Sequence, residues 1–242
     1  MSNVPGTSSA ALTIGSMTVR PLDISGAFLL SSRSFTDERG AFFEVYREDL
    51  LTEVLGYAPK ILQTNYSTSH SNVLRGIHGA SVPPGLAKLV TCVRGLMLDF
   101  VIDIRTGSPT FGKWDMIVLN GHGASSVYVE EGLGHAFVAL VDDTCVQYQL
   151  SELYRPQEVV TVHPLDPEIG LPLRLPTAPL MSDRDAAAPT LREAAELGLL
   201  PSYEACMALR ATRTELTDGS GASARDASRR SAVMRARAAA HT

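Results

Sequence analysis

Two short stretches hold most of the side chains that could do chemistry, Gln63-Thr-Asn65-Tyr-Ser67 and Val73-Leu-Arg75-Gly76-Ile77-His78, where polar residues interrupt what otherwise reads as β-strand. A histidine is the side chain best suited to proton exchange near neutral pH, yet a single one is ordinarily a satisfied core or surface residue. The case for catalysis at His78 grows with its company. Lys88 follows ten residues on, then Gly132-Leu-Gly134-His135-Ala-Phe137, Tyr148, Tyr154-Arg-Pro156 and Asp166-Pro167. Acids, bases and a cation recur along one polypeptide at spacings that only tertiary folding could bring together.

The elements that must position these groups are mostly strands. Runs of β-type residues span Lys88 to Val93, Leu96 to Ile104, Trp114 to Leu119, Ser125 to Val129, His135 to Leu140 and Cys145 to Leu150. Turn chemistry separates them: Arg94-Gly95, Thr106-Gly-Ser-Pro109 and Asn120-Gly-His-Gly123. That rhythm predicts a double-sheet sandwich or barrel built from hairpins. Helix signals are few. Arg47 to Leu55 precedes Gly56, Thr190 and Glu193 can form a capping box for a helix ending near Leu197, and a second C-terminal helix starts at Ser202. Both C-terminal helices are expected to pack outside the sheets.

At 242 residues the chain can bury one core, and a composition of 45% hydrophobic and 19% charged residues excludes a wholly disordered or collagen-like protein. The expected organisation is a frayed N-terminus over residues 1–16, one domain over residues 17–212 and a disordered basic tail over residues 213–242. From Arg213 on there are six arginines against three acids; the surplus of +3 leaves −8 for the body out of a net −5. A mildly acidic body argues against general nucleic-acid binding. No apolar run approaches a membrane span, the first residues do not read as a secretory signal, and the cytoplasm is the expected location. Cys92, Cys145 and Cys206 are widely spaced and odd in number, as expected of buried free thiols.

Several motifs together resemble the dTDP-4-dehydrorhamnose 3,5-epimerase family. They are Phe35-x-Asp37-x-Arg39-Gly40-x-Phe42-Phe43-Glu44, Gln63-x-Asn65-x-Ser67, Arg75-Gly76-Ile77-His78, Asp103-x-Arg105-x-Gly107-Ser108-Pro109-Thr110-Phe111-Gly112, Tyr148 with Tyr154-x-Pro156, and Ser182-Asp-Arg-Asp-Ala-Ala-Ala-Pro189. The resemblance covers about residues 18–203. It implies a mainly β, cupin-like double-sheet jelly roll with short C-terminal helices, a homodimer in which the amino-terminal strands contact the partner, and a dTDP-4-keto-6-deoxyhexose as substrate, with no cofactor and no metal.

A ketone at C4 of such a sugar acidifies the hydrogens on C3 and C5, and removing either gives an enolate. Inversion then needs a base on one face and an acid on the other. By resemblance His78 is the base, Asp166 orients its ring, Tyr148 is the acid and Lys88 the cation beside the developing enolate oxygen. Arg39 and Arg75 suit a diphosphate, because a guanidinium makes paired charge-assisted bonds to phosphate oxygens. His135 adds a polar contact, and Phe42 and Glu44 belong near the nucleotide, with Gln63 and Asn65 among the substrate contacts. Tyr154 is assigned to packing, and Asp103 with Arg105 to a structural pair beside the Gly107-Ser-Pro turn.

The match departs from the family pattern at Gly79-Ala80, where the family usually has an aromatic and then a glutamine; a roomier or differently shaped pocket is the expected result. Inversion at C3, at C5 or at both is open at this point. So are a sugar-nucleotide 3,4-ketoisomerase, a metal-dependent cupin enzyme and a non-catalytic sugar-nucleotide-binding protein. The metal reading has against it the lack of a second histidine two residues from His78.

Overall fold

A computed structural model describes residues 11–216. Fourteen strands dominate the described residues. The N-terminal third holds β1 (Leu12–Ile14), β2 (Met17–Pro21), β3 (Ala27–Ser32), β4 (Phe35–Asp37), β5 (Gly40–Phe42) and β6 (Gln63–Ser69). Then come β7 (Leu74–Ala80), β8 (Lys88–Arg94), β9 (Leu96–Ile102), β10 (Trp114–Asn120), β11 (Ser125–Val129), β12 (Gly134–Ala139), β13 (Thr144–Leu150) and β14 (Val159–Thr161). The helices are α1 (Glu48–Leu55), α2 (Asp183–Ala186), α3 (Leu191–Glu196) and α4 (residues 203–216).

The strands form a seven-stranded sheet in the order β1-β2-β3-β11-β8-β13-β6 and a five-stranded sheet in the order β10-β9-β12-β7-β14, with β4 and β5 as a separate hairpin. This is the double-sheet jelly-roll architecture expected. Side-chain alternation builds it: Val90, Cys92, Val127, Val129 and Val146 of one sheet meet Met97, Val101, Phe137 and Ala139 of the other in a central core. The intervening Leu89 and Tyr128 face away and pack with Leu50, Leu51 and Leu55 of α1. On the far side of the five-stranded sheet, Phe100, Ile102, Ala136 and Val138 are covered by Val162, Ile169 and, from α3, Leu191 and Ala194. Burial of such aliphatic and aromatic side chains stabilises each layer by about 1.5–3 kcal/mol per residue.

α1 ends at Gly56, which takes φ 81° to close the helix. Thr190 and Glu193 form the capping box at the start of α3. Two boundaries differ from expectation. Residues 12–14 pair with β2 as a strand, because a turn around Gly15 folds a short apolar run back onto the sheet; residues 1–10 lie outside the described residues. At the other end α4 continues past residue 212, held by Arg213 on Glu131; the rest of the expected tail, from residue 217, lies outside the described residues. No helix among the described residues is long and apolar enough to cross a membrane.

Asp103 and Arg105 form a buried structural pair. Arg105 donates twice to the carboxylate at 2.8 Å, and Ser108 and Thr110 add bonds at 2.5 and 2.6 Å. Burial pushes the Asp103 carboxyl up, but these donors more than offset it and hold it below the usual range.

Candidate active site

A cavity of about 250 Å³ opens between the sheets at the end where β7 and β13 face each other. His78, His135 and Arg75 line it from the five-stranded sheet, while Lys88, Tyr148, Asn65 and Ser67 line it from the seven-stranded sheet. His78 and Tyr148 therefore share one cavity and approach from opposing walls.

A β-bulge sets the first wall. Residues 75 and 78 are three apart, which in a regular strand places them on opposite faces. Here β12 pairs His135 with His78 and Phe137 with Arg75, so β7 carries one residue more than its partner, and both side chains line the cavity. Gly76 allows this. A Cβ there would stand 2.6 Å from both the Ala136 Cβ and the His135 carbonyl oxygen, so no larger residue fits between the strands.

His78 bonds through Nε2 to Asp185 Oδ1 at 2.7 Å. The carboxylate is presented by α2, whose first turn is capped by the Ser182 hydroxyl accepting the Asp185 N–H at 3.1 Å. Burial pushes the Asp185 carboxyl up, and His78, the Gly76 N–H and Ser182 together outweigh this and leave it lowered. Asp166, the partner expected from the sequence, does something else. Its carboxylate accepts the N–H of Leu191 at 2.7 Å and of Glu168 at 2.9 Å, which anchors the start of α3. An aspartate just before a proline can serve its own turn and the neighbouring helix end without reaching the cavity.

Lys88 is buried and donates from Nζ to the His78 carbonyl at 2.9 Å. Burial lowers its pKa to about 8, with Asp99 partly opposing the shift. The Tyr148 hydroxyl lies 3.1 Å from Ser67 Oγ, and burial pushes its pKa up to about 12. The phenol thus keeps its proton across the working range of most enzymes and can act as an acid. His135 stands edge-on to the Tyr148 ring, 6.2 Å between centroids, and bonds through Nε2 to the buried Asp99 at 2.6 Å.

Arg75 lines the cavity, its guanidinium held by Ser69 Oγ at 3.1 Å and the Thr68 carbonyl at 3.2 Å. Asn65 lines the cavity and accepts a bond from Gln63 at 2.9 Å; Gln63 itself accepts the Tyr154 N–H and does not reach the wall. Tyr154, expected in packing, lines the cavity and is 47% exposed. Arg39, Phe42 and Glu44 lie away from this cavity. Arg39 on the β4–β5 hairpin is paired with Asp37, Phe42 is 70% exposed, and Glu44 accepts a bond from Ser16.

The Gly79-Ala80 departure acts through one residue. A Cβ on Gly79 would meet Ile104 Cδ1 at 2.6 Å, so that position faces the packed side of the strand and adds only backbone to the wall; Ala80 lines the cavity with a methyl group. Sequence reasoning passed over Asp185, Asp99, Glu158 and Arg184. The signals were there: Ser182-x-x-Asp185 is a capped turn, and Asp99 is the one charge in the apolar run Leu96–Ile102. Among the described residues no three His, Cys, Asp or Glu side chains gather as a metal site.

The dTDP-4-dehydrorhamnose 3,5-epimerase family model matches residues 21–193. A dTDP-4-dehydrorhamnose 3,5-epimerase of Streptomyces griseus is 45% identical over 83% of this chain and all of its own length. A dTDP-4-dehydro-6-deoxyglucose 3-epimerase of a Streptomyces species is 42% identical over 77% of this chain and 95% of its own. Among solved structures, ChmJ, a 3'-monoepimerase from Streptomyces bikiniensis in complex with dTDP-quinovose, superimposes with a TM-score of 0.78 at 41% identity, covering 80% of this chain and 98% of that one. With a family model that spans residues 21–193 and a fold that matches over 80% of the chain, the protein belongs to the dTDP-4-dehydrorhamnose 3,5-epimerase family.

Proposed function

We propose that the chain inverts C3, C5 or both of a dTDP-4-keto-6-deoxyhexose by acid–base chemistry, without a cofactor, as an isomerase of deoxysugar biosynthesis in the cytoplasm. The observation that carries this reading is the single cavity shared by His78 and Tyr148 from opposing sheets. His78 takes a proton from carbon on one face, and Asp185 supports the imidazolium that results. The enolate oxygen gathers charge as the proton leaves, and the Lys88 ammonium stabilises it more than it stabilises the ketone. Tyr148 returns a proton from the opposite face. Arg75 takes the diphosphate.

Arg39, Phe42 and Glu44 do not line their own chain's cavity, so contact with a nucleotide requires the cavity of a second copy. We take the protein to be a homodimer in which each β4–β5 hairpin serves the neighbouring site. Sedimentation of the full chain together with saturation of turnover by added wild-type protein in an Arg39→Ala background tests this arrangement.

Incubation with a dTDP-4-keto-6-deoxyhexose in D₂O, read by NMR, tests the reaction. Deuterium at C3 or C5 with inverted configuration is the expected result. A carbonyl moved to C3 would indicate a ketoisomerase, and binding without label a non-catalytic protein. Activity lost to a chelator and restored by a metal would favour the metal-dependent cupin reading.

A further inference from the structure

The wall that carries Lys88 is braced from behind by α4, which lies outside the residues matched by the family model. α4 packs against the turn between β11 and β12, where Glu130 and Glu131 are both buried. The Glu131 carboxylate accepts a bond from Arg213 and a longer one, at 3.5 Å, from Ser151 Oγ. Ser151 Oγ in turn accepts the Ala87 N–H at 2.8 Å, and the Ser151 N–H donates to the Ala87 carbonyl at 3.0 Å. Ala87 immediately precedes Lys88.

The loop leading into Ala87 leans on the same carboxylate. A Cβ on Gly85, where φ is +77°, would stand 2.7 and 2.9 Å from Glu131 Cγ and Cβ and 3.0 Å from Leu209 of α4. Leu86, between this contact and Ala87, lines the cavity. A buried carboxylate and its guanidinium are a costly way to hold a helix that apolar packing could hold as well. Their value here is direction, because hydrogen bonds fix the height of a strand end more narrowly than aliphatic contacts do.

We propose that Arg213, acting through Glu131 and Ser151, is a positioning residue that sets where the start of β8 holds the Lys88 ammonium. The inference rests on Lys88 acting at the enolate. It predicts a loss in the chemical step rather than in substrate binding, since displacements near 1 Å alter reactions more than they alter affinity.

The full-length protein tests this by steady-state kinetics on the dTDP-4-keto sugar. Arg213→Met and Ser151→Ala are each expected to lower kcat roughly tenfold with KM within about twofold, and the double variant to be no worse than the poorer single one. Arg213→Lys should recover most of the rate. Arg210→Met, which removes the neighbouring contact of α4 with Glu130 at 3.5 Å, should leave kcat at the wild-type value. Multiplying losses in the double variant, or an equal loss in Arg210→Met, overturns the relay. So does unchanged kcat in Ser151→Ala, which carries the test alone if Arg213→Met fails to fold. A wild-type protein inactive on every dTDP-4-keto-6-deoxyhexose would instead remove the proposed function.

Discussion

Two histidine–carboxylate pairs stand on neighbouring strands and differ in almost everything but chemistry. The His78 side chain is 36% exposed and its aspartate comes from a short helical turn; the His135 side chain is 5% exposed and its aspartate comes from the strand beside it, between the sheets. Asp185 is bonded also by the Gly76 N–H, whereas the second oxygen of Asp99 has no hydrogen-bond partner among the described residues. A group that must exchange protons with substrate needs access and a carboxylate that tolerates the change of charge. His135, on the cavity wall but nearly buried, lies edge-on against the Tyr148 ring and is placed to brace it. On the proposed function, the same two side chains divide into a working pair and a supporting pair through burial and the partners of each carboxylate.

The strongest way to break this comparison is to remove the acid or the base. His78→Asn and Tyr148→Phe are expected to lower kcat by about 10²–10⁴-fold while dTDP affinity, measured by calorimetry, stays near the wild-type value. A fall of that size in His135→Asn as well would erase the distinction between the pairs. Next in size, Asp185→Asn should cost about 10- to 100-fold in kcat, as loss of a carboxylate that orients a catalytic imidazole does. Asp166→Asn, by contrast, should lower the melting temperature without changing the rate per folded molecule.

The Lys88 ammonium provides a pH test. Its charged form is present below a pKa of about 8 and is lost as pH rises through it, so kcat/KM should fall on the alkaline side from about pH 8. Lys88→Arg should move that limb beyond the measurable range, at a lower plateau because a guanidinium fits the site differently. The smallest catalytic effect is expected in the core pair. Asp99→Leu should destabilise folding by about 1–3 kcal/mol, the cost of a buried donor left unpaired, with a change in kcat well below that of Asp185→Asn; chemical denaturation and initial rates measure the two quantities.

The division was only partly legible in the amino-acid order. The strands from Lys88 to Leu150 show themselves because apolar alternation is punctuated by Gly, Pro and Asn, and the capping box at Thr190 is local chemistry that needs no tertiary context. His78, Lys88, Tyr148, Asn65, Arg75 and His135 were singled out, and all six line one cavity. The choice of carboxylate was not legible. Asp166 and Asp185 both sit in turns, His78 is 107 residues from Asp185, and α2 spans only four residues, too few for any periodicity. Residues 12–14 resembled a frayed end because composition cannot show that a Gly15 turn pairs them with β2. Arg213 resembled tail because its partner lies 82 residues earlier.

The bulge between Arg75 and His78 makes this site sensitive to arithmetic as well as to identity. Inserting one residue into β12 between His135 and Phe137 would match the extra residue of β7, restore strict alternation and set Arg75 and His78 on opposite faces, sending one of them through the sheet into the layer of Phe100 and Val138, although every amino acid named in the mechanism would still be encoded. Drift along these paired strands is therefore constrained in the number of residues as well as at Gly76.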